Sequence, residues 1–227
     1  MNKDYETLAA FWDAAFQDDG FEQAFPLENP EELAPSPKLA EALKGFRDCK
    51  RVLDYGCGNG WASIIMARSG AKDITSVDVS PNAITLLQKT ATAFSCADRI
   101  EGEVISPDWL CGVESDTFDG LFSSNVLDVV PLEMAEKIIE ECARVCKSGA
   151  RVVFSFNFYM DPETMAKRGF EVRGRNVYSQ GVLRLVALQD DEWKQRFDGH
   201  FVVESLDYFA WPGEAKETRR LFVLRKV

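Results

Sequence analysis

The 227-residue chain contains one histidine and fewer basic than acidic side chains, 26 against 37, which gives a net charge of −11. The single histidine, His200, lies outside every motif described below, so we expect it to be structural rather than catalytic. The acidic balance disfavours a nucleic-acid backbone or an anionic membrane surface as the main partner, because both attract clustered Lys and Arg. We therefore expect no nucleic acid and no membrane as partners.

Long apolar runs and paired cysteines are also missing. No stretch approaches the ~20 apolar residues of a membrane span, and no N-terminal run combines basic residues with an apolar segment. These absences favour a cytoplasmic protein. The six cysteines include no CxxC pair, which favours free thiols and no structural metal.

The composition, 46% hydrophobic and 28% charged, is that of a globular protein, and the length favours one domain over residues 1–227. Residues 1–47 are expected to form an N-terminal helical cap, with a helix over 4–18 that ends at Asp18-Asp19-Gly20 and a second over 36–46. Residues 158–198 are expected to form an insertion. We predict strands at 51–55, 73–78, 99–104, 118–123, 150–157, 201–209 and 219–227. We predict further helices at 60–69, 81–93, 131–146 and 190–197, the last of them within the insertion.

Strands that alternate with helices indicate an α/β fold with a doubly wound, mostly parallel sheet. The last two predicted strands flank Trp211-Pro212-Gly213, a turn sequence that favours an antiparallel pair. The fold that we expect is therefore a seven-stranded, mostly parallel sheet that ends in a C-terminal antiparallel hairpin.

Residues 52–60 read VLDYGCGNG, an apolar strand that runs through an acid into three glycines. Glycines in the first strand-to-helix turn let the backbone approach a nucleotide-like ligand. The GxGxG spacing, with Asp54 two residues before the first glycine, resembles motif I of the class I S-adenosylmethionine (SAM)-dependent methyltransferases. It differs from the GxGxxG of dinucleotide-binding proteins.

This resemblance extends over most of the chain and implies SAM as the cofactor. Asp54 would help to bind the SAM ammonium, Asp78 the ribose hydroxyls, and Glu103 the adenine amino group, with Asp108 as a rival for the last role. Ser124 and Asn125 would lie near the methyl group. The cofactor-binding residues that we expect are Asp54, Gly56, Cys57, Gly58, Gly60, Asp78, Val79, Glu103, Val104, Ser124 and Asn125.

The methyl acceptor is expected to bind beside the insertion, because acceptors in this fold bind beyond the carboxyl end of the fifth strand. The insertion carries four arginines, at positions 168, 173, 175 and 184, which favour an anionic small molecule. The substrate-binding residues that we expect are Trp12, Asn157, Tyr159, Arg173, Arg175, Tyr178 and Trp211. Asp128 and Tyr159 are the candidate catalytic bases, and Tyr178 is a further candidate.

The resemblance therefore predicts a SAM-dependent methyltransferase that acts on a small-molecule acceptor. Two alternatives stay open. One is a SAM-binding, non-catalytic or regulatory protein of the same fold, and the other is an NAD-binding oxidoreductase. Neither the acceptor, nor the methylated atom, nor the oligomeric state follows from the sequence.

Overall fold

The computed structural model describes residues 3–17 and 29–227, with side chains from Tyr5 onward. The helices are α1 (Lys3–Ala15), α2 (Pro37–Lys44), α3 (Trp61–Ser69), α4 (Pro81–Ala93), α5 (Trp109–Gly112), α6 (Leu132–Val145), α7 (Pro162–Lys167) and α8 (Asp190–Phe197), and a 3-10 helix spans Pro30–Leu33. The strands are β1 (Arg51–Tyr55), β2 (Asp73–Asp78), β3 (Ile100–Val104), β4 (Phe118–Ser124), β5 (Cys146–Phe156), β6 (Glu171–Arg173), β7 (Asn176–Ser179), β8 (Val182–Val186), β9 (Phe201–Phe209) and β10 (Arg219–Lys226).

Seven strands form one sheet in the order β3-β2-β1-β4-β5-β10-β9. The first five are parallel to their neighbours, whereas β10 runs antiparallel to both β5 and β9. The predicted mostly parallel sheet with a C-terminal antiparallel hairpin is thus confirmed. The strand order reverses between β1 and β4, which is where a doubly wound sheet opens a crevice for a ligand.

Helices cover both faces of this sheet, so its central strands are buried on both sides. On one face, α2 and α3 pack against Val52 and Phe122. On the other, α6 and α8 pack over an aromatic cluster in which Phe156 stacks on Trp193 with ring centroids 4.5 Å apart. This packing fixes the strand ends from which the candidate site is built.

Local signals place most helix ends as predicted. Ser80 caps α4 by accepting a hydrogen bond from the Ala83 N–H, and Pro81 occupies the first turn. The predicted strand 150–157 starts earlier, at Cys146, because β5 already pairs there with Phe118 of β4. The predicted stop of the first helix, at Asp18-Asp19-Gly20, lies outside the described residues.

The insertion contains more regular structure than the sequence predicted. After α7, strands β6, β7 and β8 form a separate three-stranded antiparallel sheet. Its apolar side chains, among them Val177 and Leu185, pack on Met165 of α7. The predicted helix 190–197 is present as α8, with a capping box between Gln189 and Glu192.

Candidate functional site

A cavity of 340 Å³ lies at the carboxyl ends of β1, β2 and β4, at the point where the strand order reverses. Three segments build most of its wall: the turn after β1, the end of β2, and the loop after β4. Helix α1 contributes further lining residues. The cavity is therefore where a parallel α/β sheet places its ligands.

The glycine turn after β1 brings main chain rather than side chain to the cavity. Gly56 and Gly58 have φ values of +75° and +53°, a region that favours glycine. A Cβ at Gly56 would overlap the Val126 side chain, and one at Gly58 would lie 3.1 Å from Phe16. The Gly56 and Cys57 N–H groups donate to the Val77 carbonyl, at 2.8 and 2.9 Å, which fixes the turn on β2.

Asp54 of β1 is 1% exposed, yet it lines the cavity. Its carboxylate accepts a hydrogen bond from Ser63 Oγ, which lies 2.7 Å from Ser76 Oγ. Burial raises the pKa of the Asp54 carboxyl to about 7, the Ser63 hydrogen bond opposes this, and the neighbouring Asp78 adds to it. The cavity thus holds a carboxylate that a positively charged ligand would stabilise.

Asp78 closes β2 on the same cavity. One carboxylate oxygen accepts from the Gly58 N–H and the other from the Ser80 N–H, each at 2.9 Å. Burial raises the Asp78 pKa, and these two N–H groups act against the shift. Val79, the next residue, also lines the cavity, so Asp78 and Val79 both lie where the sequence predicted a ligand.

The residues predicted at the end of β3 do not line this cavity, and their role in binding SAM stays a prediction. Glu103 and Val104 are exposed, Val104 to 47%, and neither lines it. The reason is that β3 is the edge strand, so its end lies open to solvent. Ile105 and Pro107 line the cavity instead. The rival acid, Asp108, accepts from Ser106 Oγ at 2.6 Å and is outside the lining.

Ser124 and Asn125, at the end of β4, both line the cavity as predicted. Asn125 has a φ of +54°, and its N–H donates to the Ser155 carbonyl at 2.9 Å. Its side-chain Oδ1 is buried and has no hydrogen-bond partner among the described residues. A buried amide oxygen of this kind is available to a donor on a ligand.

Asp128, a predicted base, does not line the cavity, and its role as a base stays a prediction. It is fully buried, and its Oδ2 accepts from the Asn157 N–H at 2.7 Å and from Asn157 Nδ2 at 3.0 Å. Asn157 in turn accepts from Arg219 Nη1 at 2.6 Å and from Arg220 Nε at 2.9 Å, and it does not line the cavity either. This network braces the ends of β5 and β10, while Asp128 Oδ1 and Arg220 Nη2 have no hydrogen-bond partner among the described residues.

The predicted acceptor residues of the insertion also lie away from the cavity. Arg173 pairs with Glu171, Arg175 pairs with Glu192, and the Arg173 guanidinium lies 4.6 Å from the Tyr178 ring centroid. Tyr178 is 3% exposed, and Tyr159 packs against the Met165 cluster. The physical reason is that the insertion folds into its own sheet, packed beside α7 and followed by α8, and these side chains find partners in it and in the two helices.

Two predicted tryptophans do line the cavity, Trp12 from α1 and Trp211 from the turn between β9 and β10. The Arg219 guanidinium lies 3.8 Å from the Trp211 ring centroid. Glu214 accepts from Arg219 Nε and Nη2, and it also accepts from the Trp211 N–H at 2.8 Å. The Arg219–Glu214 ion pair, in which the Arg219 side chain is 8% exposed, therefore holds Trp211 in position.

The sequence did not identify several lining residues on α1, directly after it and on α6, which are Tyr5, Leu8, Phe16, Met134 and Ile138. Apolar spacing had marked these segments as helices but gave no sign of a cavity. Helix α1 is held in place by Asp13, which accepts from Ser80 Oγ at 2.6 Å and from the Asn82 N–H at 3.1 Å. It thus covers the cavity beside the end of β2.

The remaining candidate groups are possible metal clusters, the single histidine and the cysteine of the glycine turn. Within residues 3–17 and 29–227, no cluster of His, Cys, Asp and Glu could hold a metal ion, and no helix is long and apolar enough to span a membrane. His200 lies outside the cavity lining. Cys57 does line it, but burial raises the pKa of its thiol well above the usual range.

Comparison with known proteins relates the chain to methyltransferases. A family model described as a methyltransferase domain matches residues 52–149. Ribosomal protein L11 methyltransferase of Methylococcus capsulatus is 32% identical over 142 residues, 61% of this chain and 45% of that protein. A ubiquinone biosynthesis O-methyltransferase of Neisseria meningitidis is 34% identical over 122 residues, 53% of this chain and 50% of that protein. The chain spans about half the length of these relatives.

Among solved structures, geranyl diphosphate C-methyltransferase of Streptomyces coelicolor A3(2), crystallised with S-adenosyl-L-homocysteine, superposes with a TM-score of 0.70. The superposition covers 100% of this chain and 99% of that one, at 12% sequence identity. A likeness at this identity shows that the two chains share a fold.

Proposed function

The chain belongs to the class I, Rossmann-like family of SAM-dependent methyltransferases, and from this premise we propose that it transfers the methyl group of SAM to a small-molecule acceptor. The observation that carries the proposal is the pair of buried carboxylates, Asp54 and Asp78, that flank the glycine turn in one cavity.

The residues present fit SAM. Asp54 would hold the ammonium group, and no cation among the described lining residues competes for it. The two Asp78 carboxylate oxygens accept from the Gly58 and Ser80 N–H groups, and because a carboxylate offers about four lone-pair sites, acceptor capacity is left for the ribose hydroxyls. The unpartnered Oδ1 of Asn125 offers a further acceptor. The glycine turn leaves room for the ligand beside its main chain.

SAM supplies an activated methyl group on a sulfonium sulfur, so the protein mainly has to align the donor and the acceptor. The carboxylates fix one end of the donor. The apolar walls, which include Trp12, Trp61 and Trp211, exclude water from the rest of the cavity. Helix α1 lies over this cavity, pinned by Asp13, and this enclosure supports a small molecule as the acceptor.

The structure disfavours one of the two alternative functions and supports the other by one observation. An NAD-binding oxidoreductase is disfavoured, because β10 enters the sheet antiparallel to β5. A SAM-binding protein without turnover has one observation in its favour: the predicted base Asp128 lies outside the cavity. Product formation separates this alternative from the proposed enzyme.

Calorimetric titration of the protein with SAM, S-adenosylhomocysteine and NAD tests the proposal. We expect the first two to bind and NAD to bind at least ~100-fold more weakly, a difference of about 3 kcal/mol. Asp78→Ala should weaken SAM binding by at least ~10-fold, since it removes the ribose acceptor. Glu101→Gln, an exposed acid on β3, is the matched control and should leave the affinity unchanged. Equal loss in both variants, or tighter binding of NAD, would contradict the proposal.

A further inference from the structure

The walls of the cavity carry no positive charge among the described residues. None of its described lining side chains is Lys, Arg or His, and residues 18–28, outside the described ranges, contain none of these in sequence. The charged groups that line it are Asp54 and Asp78. The four arginines of the insertion, which suggested an anionic acceptor, are outside the lining. A carboxylate or phosphate on the acceptor would therefore be buried with no cationic partner among the described side chains, which disfavours its binding.

The described lining also offers no base besides the two carboxylates assigned to the cofactor. Its other ionisable side chains are Tyr5, Tyr55 and Cys57. Burial raises the pKa of each, that of Tyr5 to about 12, so all three keep their protons near neutral pH. These groups can donate hydrogen bonds to an acceptor but cannot take a proton from it.

Beyond the glycine turn and the polar residues Asp78, Ser124 and Asn125, most of the cavity wall is apolar. Three tryptophans line it from different elements, Trp12 of α1, Trp61 of α3 and Trp211 of the last turn, together with Met134 and Ile138 of α6. Flat aromatic walls of this kind suit a planar or otherwise apolar molecule.

From these three observations we propose that the methyl acceptor is an uncharged, largely apolar molecule, methylated on a nitrogen whose lone pair is free in the neutral form. This proposal rests on the methyl transfer proposed above. The nitrogen lone pair forms the new bond to the methyl carbon as the carbon–sulfur bond breaks. The electron pair of that bond stays on the departing sulfur, and the positive charge passes to the methylated nitrogen. No proton has to leave, so the reaction needs no base.

Three bicyclic probes of similar size test the proposal on the wild-type protein: isoquinoline with a neutral ring nitrogen, naphthol with a hydroxyl, and naphthoic acid with a carboxylate. In protein saturated with S-adenosylhomocysteine, calorimetry should show isoquinoline binding at least ~10-fold tighter than naphthoate, because each ~1.4 kcal/mol of charge burial changes affinity tenfold. With SAM, isoquinoline should be N-methylated at least ~100-fold faster than naphthol, the usual scale of a missing general base.

Two variants locate the effect in this cavity. Trp12→Ala and Trp211→Ala should each weaken isoquinoline binding by ~10-fold while the affinity for S-adenosylhomocysteine stays unchanged. Val202→Ala, an exposed apolar residue of β9, is the control and should change neither affinity.

Naphthoate binding as tightly as isoquinoline overturns the charge part of the proposal. Naphthol methylation at the isoquinoline rate, or no methylation of isoquinoline while SAM is bound, overturns the part that concerns the nitrogen. Failure of the protein to bind SAM at all would instead refute the proposed function, so the two failures are distinguishable.

Discussion

Replacing Asp54 by Asn is expected to stabilise the ligand-free protein and to remove cofactor binding. Asp54 is 1% exposed, and burial raises the pKa of its carboxyl from 3.8 to about 7. Asparagine has nearly the same shape, carries no charge, and can still accept the hydrogen bond from Ser63 Oγ. The substitution therefore removes the cost of burying the charge while it keeps the packing.

The sign and size of the change in stability follow from the difference between the Asp54 pKa in the folded state and in the unfolded state. The folded state holds a proton at Asp54 that the unfolded state releases, so the free energy of unfolding falls as the pH rises between about 4 and 7. Each pH unit in this window corresponds to about 1.4 kcal/mol. The carboxylate thus costs the ligand-free protein on the order of 4 kcal/mol above the folded pKa, and ~2 to 3 kcal/mol of this develops above about pH 5.

Urea unfolding of both proteins without ligand, at about pH 5 and about pH 8, measures this difference. The stability of Asp54→Asn relative to wild type should rise by ~2 to 3 kcal/mol between the two pH values. Asp73→Asn, which changes an exposed acid at the start of β2, should show no such rise. A pH-independent difference between Asp54→Asn and wild type would refute the reasoning, because the buried carboxyl would then hold no extra proton.

Three further predictions concern other parts of the site. Gly58→Val should reduce SAM affinity by at least ~100-fold in calorimetry, because valine strongly disfavours a positive φ and its Cβ would crowd Phe16; retained affinity in a folded variant would show that the turn is misassigned. Trp211→Ala and Arg219→Met should each raise the acceptor KM by ~10-fold with unchanged SAM affinity, and the double variant should add little, because the two side chains act as one unit; additive losses would contradict this coupling. His200→Gln should leave kcat within ~2-fold of wild type, and a loss of ~100-fold would instead assign the histidine to catalysis.

The sequence was sufficient to predict the fold and the turn after β1 because both depend on local patterns. Alternating strands and helices predict a parallel sheet, and glycines after an apolar strand predict a turn that approaches a ligand. Asp54, Asp78 and Asn125 all line the cavity, as expected from their positions at the ends of strands. The role of each in binding SAM stays a prediction.

Side-chain pairing could not be predicted in the same way, because it depends on tertiary contacts. Arg173 and Arg175 suggested an anion site, yet the fold brings Glu171 and Glu192 to them. Glu103 follows the expected motif spacing, but β3 lies at the edge of the sheet and leaves it exposed. Counting charges along a sequence does not reveal which of them are already neutralised.

Asp54 and Asp128 show what distinguishes a ligand-binding carboxylate from a structural one in this fold. Both are buried beside the carboxyl ends of adjacent strands, and burial raises both pKa values. Beside Asp128 the protein supplies two Asn157 donors and the positive charge of Arg220. Beside Asp54, the charge that acts among the described residues is that of another carboxylate, Asp78. A buried acid that the protein itself does not neutralise, and that faces a cavity, is where a cationic ligand gains most. For this reason we propose that the SAM ammonium binds at Asp54 and that Asp128 holds no reacting group.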